Sequence, residues 1–542
     1  MKNKTSPAQF RILICDELSP AALSIFREKG FEPEVKLGLT EAQLIADAKG
    51  VHAFVVRSAT KITRKVIEAA PDLRVVGRAG VGVDNVDSDA ATERGVVVMN
   101  TPTGNTVTTA ELAITLLTSL ARHVPKADRL VKKGTWTKKG LTGTEITGKT
   151  LGIVGLGRIG RVVADRALGL RMNVVAHDPY LPLEKGSGMA GVDLLALDDL
   201  LAKSDFVTLH VPFMESTKNI ISKERIAKMK KGARLVNAAR GGLVDESALL
   251  SALESGHLAG AALDVFAEEP PPKDHPLCLR DDVIATPHLG ASSEEAQFQV
   301  AVDIAHQICE FLSEGVAHNA VNAPAVSAQT LREIAPFTLL AEKIGAFLAQ
   351  VSEKPIRKIE ITIAGEIAKK DTRHLPLALL SAVLRHQGLD EGVNLVNAPL
   401  LAKERGLQLL ESREDSDEVF QSAIHVRVTC EGGETHAVSG AVFGRSPMIV
   451  RFDGLELDLE PKGAVLITRH DDQPGVVGLL GTVLGSHRVN IRRIELGPAT
   501  SMTPSGRGLA TGVLSLYEEP SQPVLAHVRS LEPVREVRLV RL

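Results

Sequence analysis

Residues 151–178, LGIVGLGRIGRVVADRALGLRMNVVAHD, constrain the fold of this chain more than any other stretch. An apolar run at 151–154 reads as a buried strand. Gly155, Gly157 and Gly160 follow in GxGxxG spacing and lead into an amphipathic helix with Ile159, Val162, Val163, Ala167 and Leu168 on its apolar side. A second strand at 173–176 ends near Asp178, 18 residues after Gly160. In such a unit the first glycine permits a tight turn. The second lets a pyrophosphate approach the backbone, and the third lets helix and strand pack closely. The helix N-terminus offers free N–H groups to the phosphates. A carboxylate at Asp178 accepts from both ribose hydroxyls and repels a 2′-phosphate, so the expected cofactor is NAD rather than NADP.

The 542 residues are enough for three or four domains. A net charge of −3 argues against bulk-charge binding of nucleic acid. Cys15, Cys278, Cys309 and Cys430 lie far apart with no zinc or redox spacing, which predicts free thiols and no metal. The N-terminus has no apolar signal core, and no apolar run looks long enough to span a bilayer. A soluble cytoplasmic protein is expected.

Strand and helix alternate over residues 10–100, with strands at 10–15, 53–56, 73–76 and 96–99 and a helix at 20–29 capped by Ser19. In such a parallel unit ligands sit beyond the strand carboxyl ends, where Arg57 and Arg78 stand, and two arginines there suggest an anion site. A long helix at 108–123 leads into the dinucleotide unit. The basic stretch 126–139, with the single tryptophan Trp136, reads as a solvated loop. Further strands at 206–210, 234–237, 260–264 and 283–286 end near His210, Arg240, Asp264 and His288. A helix at 293–314 is expected to return to the first unit, making it discontinuous. Residues 316–329 read as a linker, 330–460 as a separate α/β region, and the chain from Gly463 as a βαββαβ module. The fold class is α/β: a Rossmann domain (104–290) inserted in a flavodoxin-like domain (1–103 and 291–322), then an α/β intervening domain (323–460) and a ferredoxin-like domain (461–542).

Oxidising an alcohol with a nicotinamide needs a base for the hydroxyl proton and a cation for the substrate carboxylate. His288 in TPHLGAS is a candidate base. Glu269 in DVFAEEP is a partner that would fix its tautomer and stabilise its charged form. Arg240 in NAARGGLVDE would supply the bidentate cation. His210 in LHVPF is the rival base, less favoured for want of a carboxylate partner.

The motifs GRAGVGVDNVD, GLGRIGR, NAARGGLVDE, DVFAEEP and TPHLGAS, in this order, resemble the D-isomer-specific 2-hydroxyacid dehydrogenases. VVRSATKIT, NTPTGNT and the segment from KKGTWTKK to GLGRIG narrow the resemblance to the long-form branch, which oxidises 3-phosphoglycerate to 3-phosphohydroxypyruvate with NAD and opens the phosphorylated route to serine. That branch carries an intervening domain and a final ACT domain, here supported by LVNAP (395–399) and HDDQPGVVG (470–478). The resemblance implies Arg240, Glu269 and His288 as catalytic. It implies that Arg158, Ile159, Asp178, Ala238, Ala239, Arg240, Asp264, His288, Leu289, Gly290 and Ala291 line NAD, with Val81 and Val211 touching it through the backbone. Arg57 and Arg78 would hold the substrate's phosphate and carboxylate. The arm around Trp136 would join a dimer of dehydrogenase cores, and the C-terminal domains would build a tetramer. L-serine would bind the ACT module near His470, Asp472 and Asn490, although Arg488 stands where the family usually has glycine. Two alternatives remain: another D-2-hydroxyacid dehydrogenase such as a hydroxypyruvate or glyoxylate reductase, and a corepressor-like protein that senses NAD.

Overall fold

The computed structural model describes residues 9–182, 189–389, 392–497, 501–502 and 508–542. The N-terminal residues expected to lack a signal, 1–8, lie outside them. The first sheet contains β1 (Arg11–Ile14), β2 (Glu34–Val35), β3 (Val51–Val56), β4 (Val75–Arg78) and β5 (Val97–Met99), ordered β2-β1-β3-β4-β5. All its pairings are parallel. Alternate residues feed two separate cores. Ile12, Ala53 and Val75 face one side, and Leu13, Phe54 and Val76 face the other. This two-sided burial explains the continuous apolar runs. The helix Pro20–Glu28 starts where expected, with the Ser19 side chain accepting from Ala21 N–H.

The second sheet contains β6 (Thr150–Val154), β7 (Asn173–His177), β8 (Val192–Leu194), β9 (Phe206–Leu209), β10 (Ala233–Asn237), β11 (Leu258–Leu263) and β12 (Val283–Ala285). Its order is β12-β11-β10-β9-β6-β7-β8, again parallel throughout. The order reverses between β6 and β9, which opens a crevice at their carboxyl ends. Two long helices cross between the sheets, Thr106–Ala121 and Glu294–Glu314. The second packs on the first sheet. A methyl group at Gly77 would lie 2.8 Å from Ile308 and 2.9 Å from Ile304, so only glycine admits this approach. Where the helices start they are bonded to each other, Thr108 Oγ1 to Ser293 Oγ at 2.9 Å.

Three local expectations change. The basic stretch begins as a helix, Val124–Lys132, none of whose residues is buried; only the part carrying Trp136, 87% exposed, is a loop. Residues 316–327 are more than a tether. Asn322 accepts from Val98 N–H at 2.8 Å and donates to the Val96 carbonyl at 2.9 Å, stitching this segment to the edge of β5. The helix Ala328–Val351 is long and apolar enough over 329–351 to cross a membrane by composition alone, contrary to expectation. It is a core helix, however, with Ile334, Leu340, Ile344 and Phe347 fully buried against the third sheet.

That sheet contains β13 (Ile356–Gly365), β14 (Gln408–Glu414), β15 (Ser422–Cys430), β16 (Thr435–Phe443), β17 (Ser446–Phe452) and β18 (Leu455–Leu459), ordered β14-β13-β15-β16-β17-β18. Only the β13–β14 pair is parallel. The last sheet contains β19 (Ala464–Asp471), β20 (Ile491–Leu496), β21 (Ser501–Met502), β22 (Gly508–Leu516) and β23 (Val534–Arg541). Its antiparallel order β20-β22-β19-β23, with β21 beside β22, is that of a ferredoxin-like βαββαβ module. One face of β19 packs under the module's helices through Ala464 and Leu466. The other, through Val465 and Ile467, joins the intervening core.

Candidate active site

The glycine turn after β6 has the shape a pyrophosphate cradle needs. Gly155 has φ 97°, and a methyl group there would lie 2.5 Å from the His210 carbonyl oxygen. A methyl at Gly160 would run into the Gly155 carbonyl, so helix and strand touch through glycine alone. At Gly157, the cap of the helix Arg158–Gly169, nothing lies within 4 Å of an added methyl. The space above this helix N-terminus is therefore open. Asp178 closes the far side, its Oδ2 accepting from Leu156 N–H and its Oδ1 from Tyr180 N–H, both at 3.0 Å. The donor set and the open cradle fit a dinucleotide.

The crevice continues into a cleft of about 250 Å³. It is lined by Val81, Ile159, Val211, Ala238, Ala239, Arg240, His288, Gly290 and Ala291, all expected from the sequence, and by Arg78, Gly82, Asp84, Asn105, Thr109, His210 and Pro212. Arg158, Asp178 and the three glycines stand at the cradle end, outside this lining. Among the described residues, three lining side chains have buried polar atoms without a hydrogen bond: Arg78 Nε, Asn105 Oδ1 and His210 Nδ1. Asn105 escaped the sequence analysis although NTPTGNT contains it. The signal was its place just before the helix Thr106–Ala121, where its side chain makes no capping bond and is left to the cleft.

His288 sits just beyond β12 with φ 54°, a left-handed conformation unusual for a side chain of its size. Asp264, 1% exposed, holds this turn. Its Oδ1 accepts from Thr286 Oγ1 at 2.6 Å and Leu289 N–H at 2.7 Å, and its Oδ2 accepts from Gly290 N–H at 2.9 Å. Burial nevertheless outweighs these bonds and pushes the Asp264 carboxyl above its ordinary range. His288 Nδ1 lies 2.7 Å from Glu269 Oε2, and Glu269 Oε1 accepts from Phe266 N–H at 3.1 Å. The imidazole is thus oriented by a carboxylate, with Nε2 left for a reactant.

Among the described residues His210 has no carboxylate partner. Its Nε2 lies 3.0 Å from Thr208 Oγ1, and burial pushes it down to about 4, so it is neutral near pH 7.

Arg78 is pushed down to about 10, first by burial and then by the nearby charges of Arg240 and Arg57. Three guanidiniums therefore gather here. Asp84, the only carboxylate among them to bond Arg240 among the described residues, lies 3.3 Å from Arg240 Nε and is largely exposed. Arg57 stands outside the cleft lining, its backbone N–H donating to buried Asp16. Behind His288 a second cavity of about 510 Å³ includes Ser58, Phe266 and Cys278.

Comparison with known proteins gives the family. Residues 114–290 match the model of the D-isomer specific 2-hydroxyacid dehydrogenase NAD binding domain, and 333–453 match that of the D-3-phosphoglycerate dehydrogenase intervening domain. D-3-phosphoglycerate dehydrogenase of Methanocaldococcus jannaschii is 41% identical over 98% of this chain and 100% of its own length. The chain belongs to the D-3-phosphoglycerate dehydrogenase family. The Bacillus subtilis member of that family is 38% identical over 98% of this chain and 100% of its own. Among solved structures, the NAD-dependent formate dehydrogenase of Staphylococcus aureus in complex with NAD is 29% identical, with a TM-score of 0.53. It covers 58% of this chain and 99% of its own. The phosphoglycerate dehydrogenase likeness therefore runs through the C-terminal domains, which the formate dehydrogenase likeness does not span.

In the last module the three residues expected around a serine site have different surroundings. His470 is 4% exposed, with Nδ1 3.2 Å from the Asp471 carbonyl oxygen, whereas Asp472 and Asn490 are exposed. The Asn490 N–H donates to Glu518 at 2.8 Å. Among the described residues no hydrogen bond joins the three. The pairing of β19 with β23 shifts register between Arg469 and His470. It is Asp471, not Asp472, whose carboxylate is buried; it accepts from Arg535 Nε at 2.8 Å.

Proposed function

We propose that this chain catalyses the reversible NAD-dependent oxidation of 3-phospho-D-glycerate to 3-phosphohydroxypyruvate, the first step of the phosphorylated route to L-serine. The observation that carries the reading is that Arg78 and Arg240 line the same cleft as His288, which Glu269 orients, at the mouth of a dinucleotide crevice, with Arg57 near enough to Arg78 to act on its charge. A phosphate monoester carries about −1.5 to −2 charge at pH 7, and the substrate's carboxylate adds one more. Arg78, Arg240 and Arg57 suit that charge, and the buried Arg78 Nε, without a partner among the described residues, is left for an anion.

In this reading Gly155, Gly157, Arg158, Ile159 and Gly160 hold the pyrophosphate and Asp178 the ribose. Val81, Val211, Ala238, Ala239, Asp264, Leu289, Gly290 and Ala291 surround the nicotinamide end. Bound NAD supplies the hydride acceptor. His288 Nε2 takes the hydroxyl proton, and Glu269 stabilises the imidazolium that results. Arg240 grips the carboxylate and the developing carbonyl oxygen. Arg57 and Arg78 hold the phosphate and the remaining carboxylate oxygen. In reduction the imidazolium returns its proton. Neutral His210 orients rather than exchanges protons.

The domain division is proposed as 1–103 with 291–322 for substrate, 104–290 for NAD, 323–460 intervening and 461–542 regulatory. The unburied helix Val124–Lys132 and Trp136 favour a dimer of cores, extended to a cytoplasmic homotetramer by the C-terminal domains. L-serine as inhibitor would contact His470, Asp472 and Asn490. The deciding experiment follows NADH absorbance with 3-phosphoglycerate, D-glycerate and D-lactate in parallel, with and without millimolar serine. A preference for 3-phosphoglycerate is expected. Equal turnover of D-glycerate or D-lactate overturns the substrate reading, and a serine-insensitive rate overturns the inhibitor reading.

A further inference from the structure

The motif NAARGGLVDE ends in two acids that the reading above leaves unused. Asp245 caps the helix Glu246–Glu254, its side chain accepting from Ala248 N–H at 3.0 Å. Glu246 turns away from that helix. Its Oε1 accepts from Ala267 N–H at 2.8 Å, and its Oε2 lies 3.2 Å from His275 Nε2. Its side chain is 22% exposed and that of His275 is 15% exposed, so the His275 contact is partly shielded from water, while Ala267 itself lies at the surface.

The segment that Glu246 grips is the one that carries Glu269. Ala267 follows Phe266, whose N–H donates to Glu269 Oε1 at 3.1 Å, while Glu269 Oε2 faces His288 at 2.7 Å. The Phe266 ring meets the His275 ring edge-on at 5.4 Å. A second contact binds the same two segments: Gly241, next to Arg240, lies so close to the Phe266 carbonyl that no side chain fits there. The turn bearing Arg240 and the turn bearing Glu269 are thus locked together, at one end by a glycine and at the other by Glu246.

We propose that Glu246 is a positioning residue that holds the Glu269 turn in register with His288, with His275 as its brace. The inference rests on the assignment of His288 and Glu269 made above. A helix supplies the rigid anchor, and the bond to Ala267 N–H transmits its position to Glu269 through two peptide units. A displacement of about 1 Å at a reacting group costs on the order of 100-fold in rate, which is the scale at which such an anchor acts.

The test is a double-mutant cycle in the full-length chain, made from Glu246→Ala, Glu269→Gln and the pair. Rates are taken on whichever substrate the wild type turns over, so that a wrong substrate assignment shows in the wild type alone. Glu246→Ala is expected to lower kcat by about 10–100-fold while NADH affinity by fluorescence stays within about twofold. Glu246→Gln keeps an acceptor for Ala267 N–H and is expected to recover most of the rate. In the Glu269→Gln background, Glu246→Ala should cost less than about twofold more, because its effect passes through Glu269. Additive losses, or an unchanged kcat in Glu246→Ala, overturn the proposal. Should Glu246→Ala not fold, Glu246→Asp, with its carboxylate one methylene short, is read in the same cycle by the same criteria.

Discussion

Gln350 and Arg541, 191 residues apart, are joined by a two-way bond: Gln350 Nε2 donates to the Arg541 carbonyl and Gln350 Oε1 accepts the Arg541 N–H, each at 3.0 Å. The amide behaves as one more residue of a β-ladder at the end of β23. It fastens the core helix of the intervening region to the last strand of the chain. Both regions also share the core containing Val465, Val513 and Val540. Gln350→Ala should lower stability by about 1–2 kcal/mol, two hydrogen bonds' worth at a partly exposed site. Chemical denaturation checks this. If intervening and C-terminal regions melt together in wild type, the variant's transition should stay single and move to lower denaturant.

Loss of the orienting carboxylate should strike the rate and spare the cofactor. Glu269→Gln and His288→Asn are each expected to lower kcat by about 10²–10⁴-fold, with NADH affinity unchanged. A His288 variant retaining a tenth of wild-type activity would return His210 to consideration.

In the proposed reading Asp178 sets the choice of nicotinamide. Asp178→Ala removes two charge-assisted bonds to the ribose and should raise the KM for NAD by about 10–100-fold while narrowing the gap to NADP. Wild-type enzyme using NADP as well as NAD would contradict the assignment.

Arg57→Ala should separate phosphate from carboxylate recognition. The KM for 3-phosphoglycerate is expected to rise by about 10–100-fold, the range for a bond to a charged group, while turnover of D-glycerate changes little. Equal losses on both substrates would assign Arg57 to the shared carboxylate end.

The intervening region contains its own titrating link. His436 is 4% exposed, with Nδ1 2.8 Å from Asp453 and Nε2 3.3 Å from Glu434; Arg469 of β19 faces Asp453 at 4.0 Å. The bond to Asp453, the largest influence, holds His436 above the ordinary histidine range despite burial and Arg469. A group raised in the folded state stabilises fully below its unfolded value, about 6.5, and that stability is lost as pH rises through the folded value. Denaturation midpoints should therefore fall between pH 6 and pH 9. His436→Gln should flatten the slope, and an equal slope in the variant would exclude this histidine as its source.

The parts of the fold read directly from sequence are those where one local pattern has one physical solution. Gly155, Gly157 and Gly160 between two apolar runs admit little but a strand, a turn and a helix. The module from Gly463 declares itself through alternating apolar residues. Other features depend on partners far along the chain. Nothing near Asn322 announces that it completes the edge of β5, 224 residues away in sequence from Val98. The two-residue β2 is too short to carry periodicity. Strand β19 ends at the buried Asp471, so the alternation that would align Asp472 with His470 does not extend to it. In the candidate site, His288, Glu269 and Arg240 can be picked out from sequence because the roles proposed for them demand particular side chains. Asn105 and Glu246 were not, since asparagine before a helix and glutamate in its first turn are also ordinary capping residues.

The helix Glu294–Glu314 closes a sheet whose last strand ends at Met99. Ile304 and Ile308 fit over Gly77, and the same cluster covers Phe10, Ile14 and Val75. On a ribosome that cover arrives late. Leu312 follows Met99 by 213 residues, about 10–40 s of synthesis at about 5–20 residues per second. Through that interval the helix Pro20–Glu28, with Ala22 and Phe26, covers part of this face, but Val75 and Gly77 lack Ile304 and Ile308, while the whole of the inserted unit emerges and is able to fold. The order of emergence thus differs from the order of completion: the unit encoded second is finished first, and the N-terminal sheet waits, in need of protection from association with its neighbours on the same message.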